Sequence, residues 1–263
     1  MKLNKLSATL FAAAAMAFGS SAQAINVGGV VWDPNDGTFD FSSQTNLYET
    51  IGVNVGDTFS GYGLITAVNA TASNLFCPTC QLTYEFGGYT IIKAATTGDL
   101  TFAASGGWLN VYVQDTGGVI DGPYTAFNAS LKSTATDGTL WLGLVGASGI
   151  LTPPATLAGT VVVPNSNGTS GQGSGYFDVA AGAAGGLAAA NIDTNTQPGG
   201  TDLTFTSSFQ ALKTPITNGG TVVATHFGNN NVFGDSVPEP ATLALLGLGL
   251  VGLGLSRRTK KAA

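Results

Sequence analysis

Leu203-Thr204-Phe205-Thr206-Ser207-Ser208-Phe209 is the stretch from which the fold is read. Side chains alternate between faces along an extended strand, so Leu203, Phe205 and Phe209 share one side. Thr and Phe favour strands, and no helical spacing of apolar residues competes. Working outward, Trp108-Leu-Asn-Val-Tyr-Val-Gln114 is apolar on both faces apart from Asn110, the pattern of a central strand. Further runs rich in β-branched and aromatic residues fall at 27–32, 58–69, 82–86, 89–94, 99–103, 140–145, 159–163, 176–179 and 221–227. Glycine and Asp-Gly pairs punctuate them. Gly87-Gly88 predicts a tight hairpin, and Ser105-Gly106-Gly107 a slightly longer one. Residues 165–175, rich in Gly, Ser and Asn, predict a long mobile loop, and 180–191 a short helix or a glycine-broken loop. Together these predict an all-β chain, with one β-sandwich or jelly-roll-like domain over residues 25–236.

Composition narrows the function. Only 9% of the 263 residues are charged, against roughly 25% in an ordinary soluble domain, while 38 are glycine and 33 threonine. Six of the nine basic residues lie at the two ends. Between Ile25 and Val237 only Lys93, Lys132 and Lys213 face fourteen carboxylates, a net charge of −11. Such a body repels phosphate backbones and anionic headgroups, which argues against nucleic acid or a membrane surface as a partner.

The ends read as addresses. Lys2 and Lys5 precede a dozen apolar residues and then Gly19-Ser-Ser-Ala22-Gln-Ala24, the basic, apolar and small-residue parts of a secretory signal peptide. Cleavage after Ala24, read from Ala22 and Ala24, leaves Ile25 as the mature N-terminus, with signal peptidase as the processing partner. At the other end, Val237-Pro238-Glu239-Pro240 precedes fifteen residues that are apolar apart from Thr242, and then Ser256-Arg257-Arg258-Thr-Lys-Lys261. Fifteen residues make a helix of about 22 Å. That is short of the roughly 30 Å hydrocarbon core, so it spans by thinning the bilayer or by snorkelling its basic end. Arg257, Arg258 and the lysines stay cytoplasmic, leaving the body outside. Pro238 and Pro240 hold the strip between extended, in a form a processing enzyme can grip.

This three-part tail, residues 237–263, resembles the PEP-CTERM sorting signal of Gram-negative bacteria. The resemblance implies export through the inner membrane, recognition by an exosortase and removal of the tail. A transient membrane anchor through the C-terminal helix and delivery to the cell surface or matrix follow, commonly alongside exopolysaccharide. Within the body, Ile25-Asn-Val-Gly-Gly-Val-Val-Trp-Asp-Pro34, Tyr48-Glu-Thr-Ile51, Val55-Gly-Asp-Thr-Phe-Ser-Gly-Tyr-Gly63, Phe76-Cys-Pro-Thr-Cys-Gln-Leu-Thr-Tyr84 and Gly186-Leu-Ala-Ala-Ala-Asn-Ile-Asp-Thr194 are similar to flocculation-associated PEP-CTERM proteins. That similarity implies a secreted factor for cell aggregation or biofilm and brings no catalytic residues with it.

Enzymatic chemistry finds little purchase. Cys77-Pro-Thr-Cys80 precedes a strand-like run, so the helix N-terminus that activates a redox thiol is missing. Two thiols with His226 fall short of four zinc ligands. In an oxidising compartment Cys77 and Cys80 are expected to form a structural disulfide. His226, the single histidine, has no Gly-x-Ser-x-Gly elbow to serve, because Gly171-Gln-Gly-Ser-Gly175 has the wrong register. Asp33-Pro-Asn-Asp36-Gly-Thr-Phe-Asp40 has the oxygen ligands of a calcium loop but lacks the sixth-position glycine and distal Glu, and Asx turns explain it equally. The expectation is a non-enzymatic surface or matrix protein with no catalytic residues, metal or cofactor. The alternatives are a carbohydrate-binding β-sandwich, whose signature is an exposed platform of aromatics among Trp32, Trp108, Trp141 and the tyrosines, and a secreted glycoside hydrolase with paired carboxylates.

Overall fold

A computed structural model describes residues 24–34, 39–115, 125–151, 154–165 and 168–237. Its strands are β1 (Ile25–Val27), β2 (Val30–Trp32), β3 (Phe41–Thr50), β4 (Thr58–Val68), β5 (Thr71–Ala72), β6 (Cys80–Lys93), β7 (Thr101–Asp115), β8 (Thr139–Gly146), β9 (Leu157–Asn165), β10 (Gly168–Val179), β11 (Leu203–Asn218) and β12 (Thr221–Gly234). The described residues are mostly strand, as composition and periodicity predict. β1 and β2 form a separate hairpin, and the rest belong to one large antiparallel sheet.

That sheet closes on itself. From β3 the pairing runs through β4, β6 and β7 to β8, then to β10, β11 and β12, and β12 returns to β3. β8 and β9 share one place in the circuit. β8 joins Trp108–Val113 of β7 to the end of β10, while β9 joins Thr101–Ala104 of β7 to the beginning of β10. The two layers of the predicted sandwich are therefore opposite walls of one hydrogen-bonded circuit, with a single apolar core between them.

One end of this core is solid. Trp141 is fully buried, with its ring 5.8 Å from Trp32 and 6.1 Å from Phe41. The β1–β2 hairpin caps this end, where Trp141 donates its indole N–H to the Val27 carbonyl at 2.9 Å and Trp32 donates to Ser236 Oγ at 3.1 Å. Burial of three such rings supplies much of the driving force here, and each indole N–H finds the partner that burial requires.

The two glycine hairpins and the 165–175 loop are corrected. Gly87-Gly88 and Ser105-Gly106-Gly107 make no hairpins: each lies inside a long strand, β6 or β7, and the two strands pair with each other there. Gly88, Gly106 and Gly107 take positive φ, so the strands bend without breaking, and the Trp108 ring lies so close that a Cβ on Gly88 would come within 2.9 Å of it. The turn that joins β6 to β7 is at 94–100 instead, stapled by the Lys93–Asp99 ion pair at 2.8 Å. Most of 165–175 is strand, not loop, since β10 pairs with β9 and β11 along it. The stretch 180–191 forms a one-turn 3₁₀ segment, Gly182–Gly185, and then the first three residues of the short helix Ala189–Ile192. β3, for which no strand was predicted, is one of the central elements.

Candidate functional site

The other end of the circuit is hollow. A cavity of about 260 Å³ lies among the inner faces of β3, β4, β6, β7, β9, β10, β11 and β12. Leu47, Phe59, Ile91, Phe102 and Phe209 give it an apolar wall. Asn230 lines it as well, and its backbone N–H donates to Thr45 Oγ1 at 3.2 Å, where the Thr45 and Tyr84 hydroxyls bond at 2.9 Å. Its rim is built by the β3–β4 and β6–β7 connections, which supply Ile51, Gly52 and Val53 on one side and 94–97 with Leu100 on the other.

Each rim loop is held by one carboxylate. Asp57 Oδ2 accepts from the backbone N–H groups of Val53 and Asn54 at 3.0 and 2.9 Å. Asp99 accepts from the Thr101 backbone N–H and hydroxyl at 3.0 and 2.6 Å. Backbone donors hold Asp57 below the usual carboxylate range, and the Lys93 ammonium, followed by Thr101, does the same for Asp99. The mouth is therefore preformed. Val53, Val55, Leu100 and Val162 are exposed at this end, which makes the rim apolar as well.

Three buried polar side chains of the lining keep an atom without a partner. Glu49, Tyr89 and Asn230 line it and are buried, and Glu49 Oε1, the Tyr89 hydroxyl and Asn230 Oδ1 have no hydrogen-bond partner among the described residues. Alternation along β3 turns Phe41, Ser43, Thr45, Leu47 and Glu49 inward. Desolvation pushes the Glu49 carboxyl up to about 8, so it is the neutral acid at neutral pH. Tyr89 is likewise raised by burial. None of these residues was singled out in the sequence. The available signal was a period of two across 41–49, hidden because three of its five inward residues are polar.

His226 sits directly across from Glu49 on the neighbouring strand, facing inward and buried. Its Nδ1 lies 2.8 Å from the hydroxyl of Thr225, its ring packs edge-on against Phe209, and its Nε2 is unpartnered. Burial pulls its pKa below the ordinary value, against a smaller opposing effect of the Thr169 carbonyl. Ser207, the serine of the cavity wall, pairs with Asn230, four residues along β12 from His226. Four residues of strand separate the two levels by roughly 13 Å. The geometry does not assemble a serine–histidine couple here.

The remaining sequence candidates lie elsewhere. Cys77 and Cys80 are joined in a disulfide, with Cα atoms 5.0 Å apart. Cys77 follows the one-turn helix Ser73–Phe76, so the helix presents carbonyls and not amides toward the thiol. Asp36, in the acidic stretch, falls outside the described residues. Asp40 beside it is raised by burial, with Asp235 and Asp33 adding repulsion, and the Asn69 amide bridges the Asp33 and Asp40 carbonyls at 3.1 and 2.8 Å. Trp32 and Trp141 are sealed in the core and Trp108 is half-buried over glycines. Ala22, Pro238, Glu239, Pro240, Arg257 and Arg258 lie outside the described residues, while Ala24 and Val237 are exposed where the chain enters and leaves the barrel.

Comparison with known proteins decides what the tail is. Residues 236–258 match the PEP-CTERM protein-sorting motif. The chain carries a PEP-CTERM signal. The PEP-CTERM assignment implies an exported protein, anchored transiently by this tail, processed by an exosortase and delivered to the surface. No helix among the described residues is long and apolar enough to cross a membrane. Searches among curated proteins and among solved structures return no match.

Proposed function

We propose that the mature protein works without turning over a substrate, as a surface or matrix component that promotes cell aggregation by holding exopolysaccharide. The observation that carries this reading is the outer face of the wall β9-β10-β11-β12-β3. One rung across it reads Thr160, Gln172, Ser208, Asn229 and Asn46, and the next reads Ala158, Ser174, Thr206, Asn231 and Gln44. These side chains point outward, and none carries a charge. Strands lie about 4.8 Å apart, so a rung presents donors and acceptors over roughly 19 Å. Hydroxyl and amide groups both donate and accept, which suits weak, repeated hydrogen bonding along a sugar polymer. An aromatic platform is not built from the tryptophans, so the carbohydrate-binding reading is favoured only in this polar form.

The test is genetic. Deleting the gene is expected to disperse the cells while leaving polysaccharide synthesis intact. A Gln172→Ala/Ser208→Ala/Asn229→Ala protein should be exported and folded yet fail to restore clumping, whereas His226→Ala should restore it. A deletion strain that clumps normally, or a folded His226→Ala protein that cannot rescue it, defeats the proposal.

A further inference from the structure

The cavity inside the barrel is unrelated to the polar outer wall and to the sorting tail, and it has the construction of a ligand site. Its wall is apolar, its rim loops are pinned in place, and three nine-tenths-buried polar side chains that line it each keep an atom without a hydrogen-bond partner among the described residues. A buried polar atom left without a partner costs about 1–3 kcal/mol, so three around one space mark a place completed by something else. An apolar cavity of about 150 Å³ holds benzene, so one of about 260 Å³ holds a body of roughly ten non-hydrogen atoms.

The polar atoms select the head group. Asn230 Oδ1 accepts a hydrogen bond. The Tyr89 hydroxyl donates or accepts. Glu49, neutral in this setting, donates from its acid proton and accepts at its carbonyl oxygen. No lysine or arginine lines the cavity among the described residues, so nothing there compensates an anionic head. We propose that the barrel binds a neutral amphiphile: an alkyl or aryl body of about ten heavy atoms with one hydroxyl or amide head, seated against Glu49, Tyr89 and Asn230. The apolar body replaces wall-to-wall void with contact, and the head supplies the missing hydrogen bonds. The apolar rim of Val53 and Leu100 is the way in.

The experiment is calorimetric titration of the secreted protein at pH 6.5 with 1-nonanol and, separately, with nonanoate. One saturable site for 1-nonanol is expected, with nonanoate at least tenfold weaker. Ala95→Trp, on the rim and away from the packed core, should weaken 1-nonanol binding at least tenfold while leaving the melting temperature unchanged; Thr97→Trp serves the same purpose if the first variant does not fold. Glu49→Leu should weaken the alcohol more than it weakens the hydrocarbon-like probe 1-chlorooctane. The proposal is overturned if 1-nonanol shows no saturable binding to the folded protein, if nonanoate binds as well, or if both rim variants bind normally.

Discussion

Glu49 and His226 face each other across adjacent strands and respond to pH in opposite senses. The folded state raises Glu49 from 4.5 to about 8, so between those values it keeps a proton that the unfolded chain has released. Stability therefore falls as pH rises through that window, by about 1.4 kcal/mol per unit for this group alone. His226 is lowered from 6.5, so below that value the unfolded chain binds a proton the fold excludes, and stability falls as pH drops. Of the other titratable groups nearby, Tyr84 on β6 is raised further by Glu49 and stays neutral throughout. Glu49→Gln should accordingly flatten the alkaline limb of a melting-temperature profile between pH 4 and 9 and raise the melting temperature at pH 8. His226→Gln should flatten the acidic limb. A profile from Glu49→Gln that superimposes on the parent would show that the carboxyl ionises freely.

β10 shows how an element can be built from residues that predict a loop. Gly171 and Gly175 turn inward, and the rings of Phe209 and Phe205 occupy the volume their side chains would need. A Cβ on Gly175 would meet the Thr156 carbonyl at 2.2 Å and the Phe205 ring at 2.6 Å, whereas one on Gly173 meets nothing nearer than 3.4 Å. Gly175→Ala is thus expected to cost about 1–3 kcal/mol by overpacking, and Gly173→Ala less than 1 kcal/mol, read by thermal or denaturant unfolding. Equal losses from both would mean that strand propensity, not the Phe205 contact, sets the requirement. The same substitution of partner rings for local side chains explains what sequence reading missed. β11 was legible because its own residues alternate. In β10 the apolar bulk filling the inner face belongs to another strand, and at Gly87-Gly88 the ring lying over the glycines is Trp108 of β7, so glycine reads as a break in both places. In β3 the inner face carries Ser43, Thr45 and Glu49, whose burial makes sense only beside Tyr84 and Asn230.

For the whole molecule, the address was more legible than the site. A sorting tail is contiguous, so its three parts are visible in one reading, while the cavity draws one to three residues from each of eight strands and has no linear signature. Processing at both ends gives a direct check: intact mass of the secreted protein should begin at Ile25 and end near 238–240. Recovery of the apolar stretch 243–255 in released material would contradict tail removal. The body's net −11 should also make aggregation depend on salt or divalent cations that screen it.

The closure of the sheet has a mechanical consequence. The chain leaves the barrel just after β12, and the amide of Val237 is bonded to the Asn191 carbonyl at 2.7 Å. β12 is flanked by β3 on one side and β11 on the other along most of its length. Were the outer wall held by polysaccharide, as proposed, tension through the C-terminal segment while the tail still anchors it would pull β12 along its own axis. The hydrogen bonds to both neighbours then bear the load together, in shear, and cannot be opened one at a time from a free edge. An anchor placed after any strand of an open sheet's border would peel; here the same tether holds until two ladders slip at once.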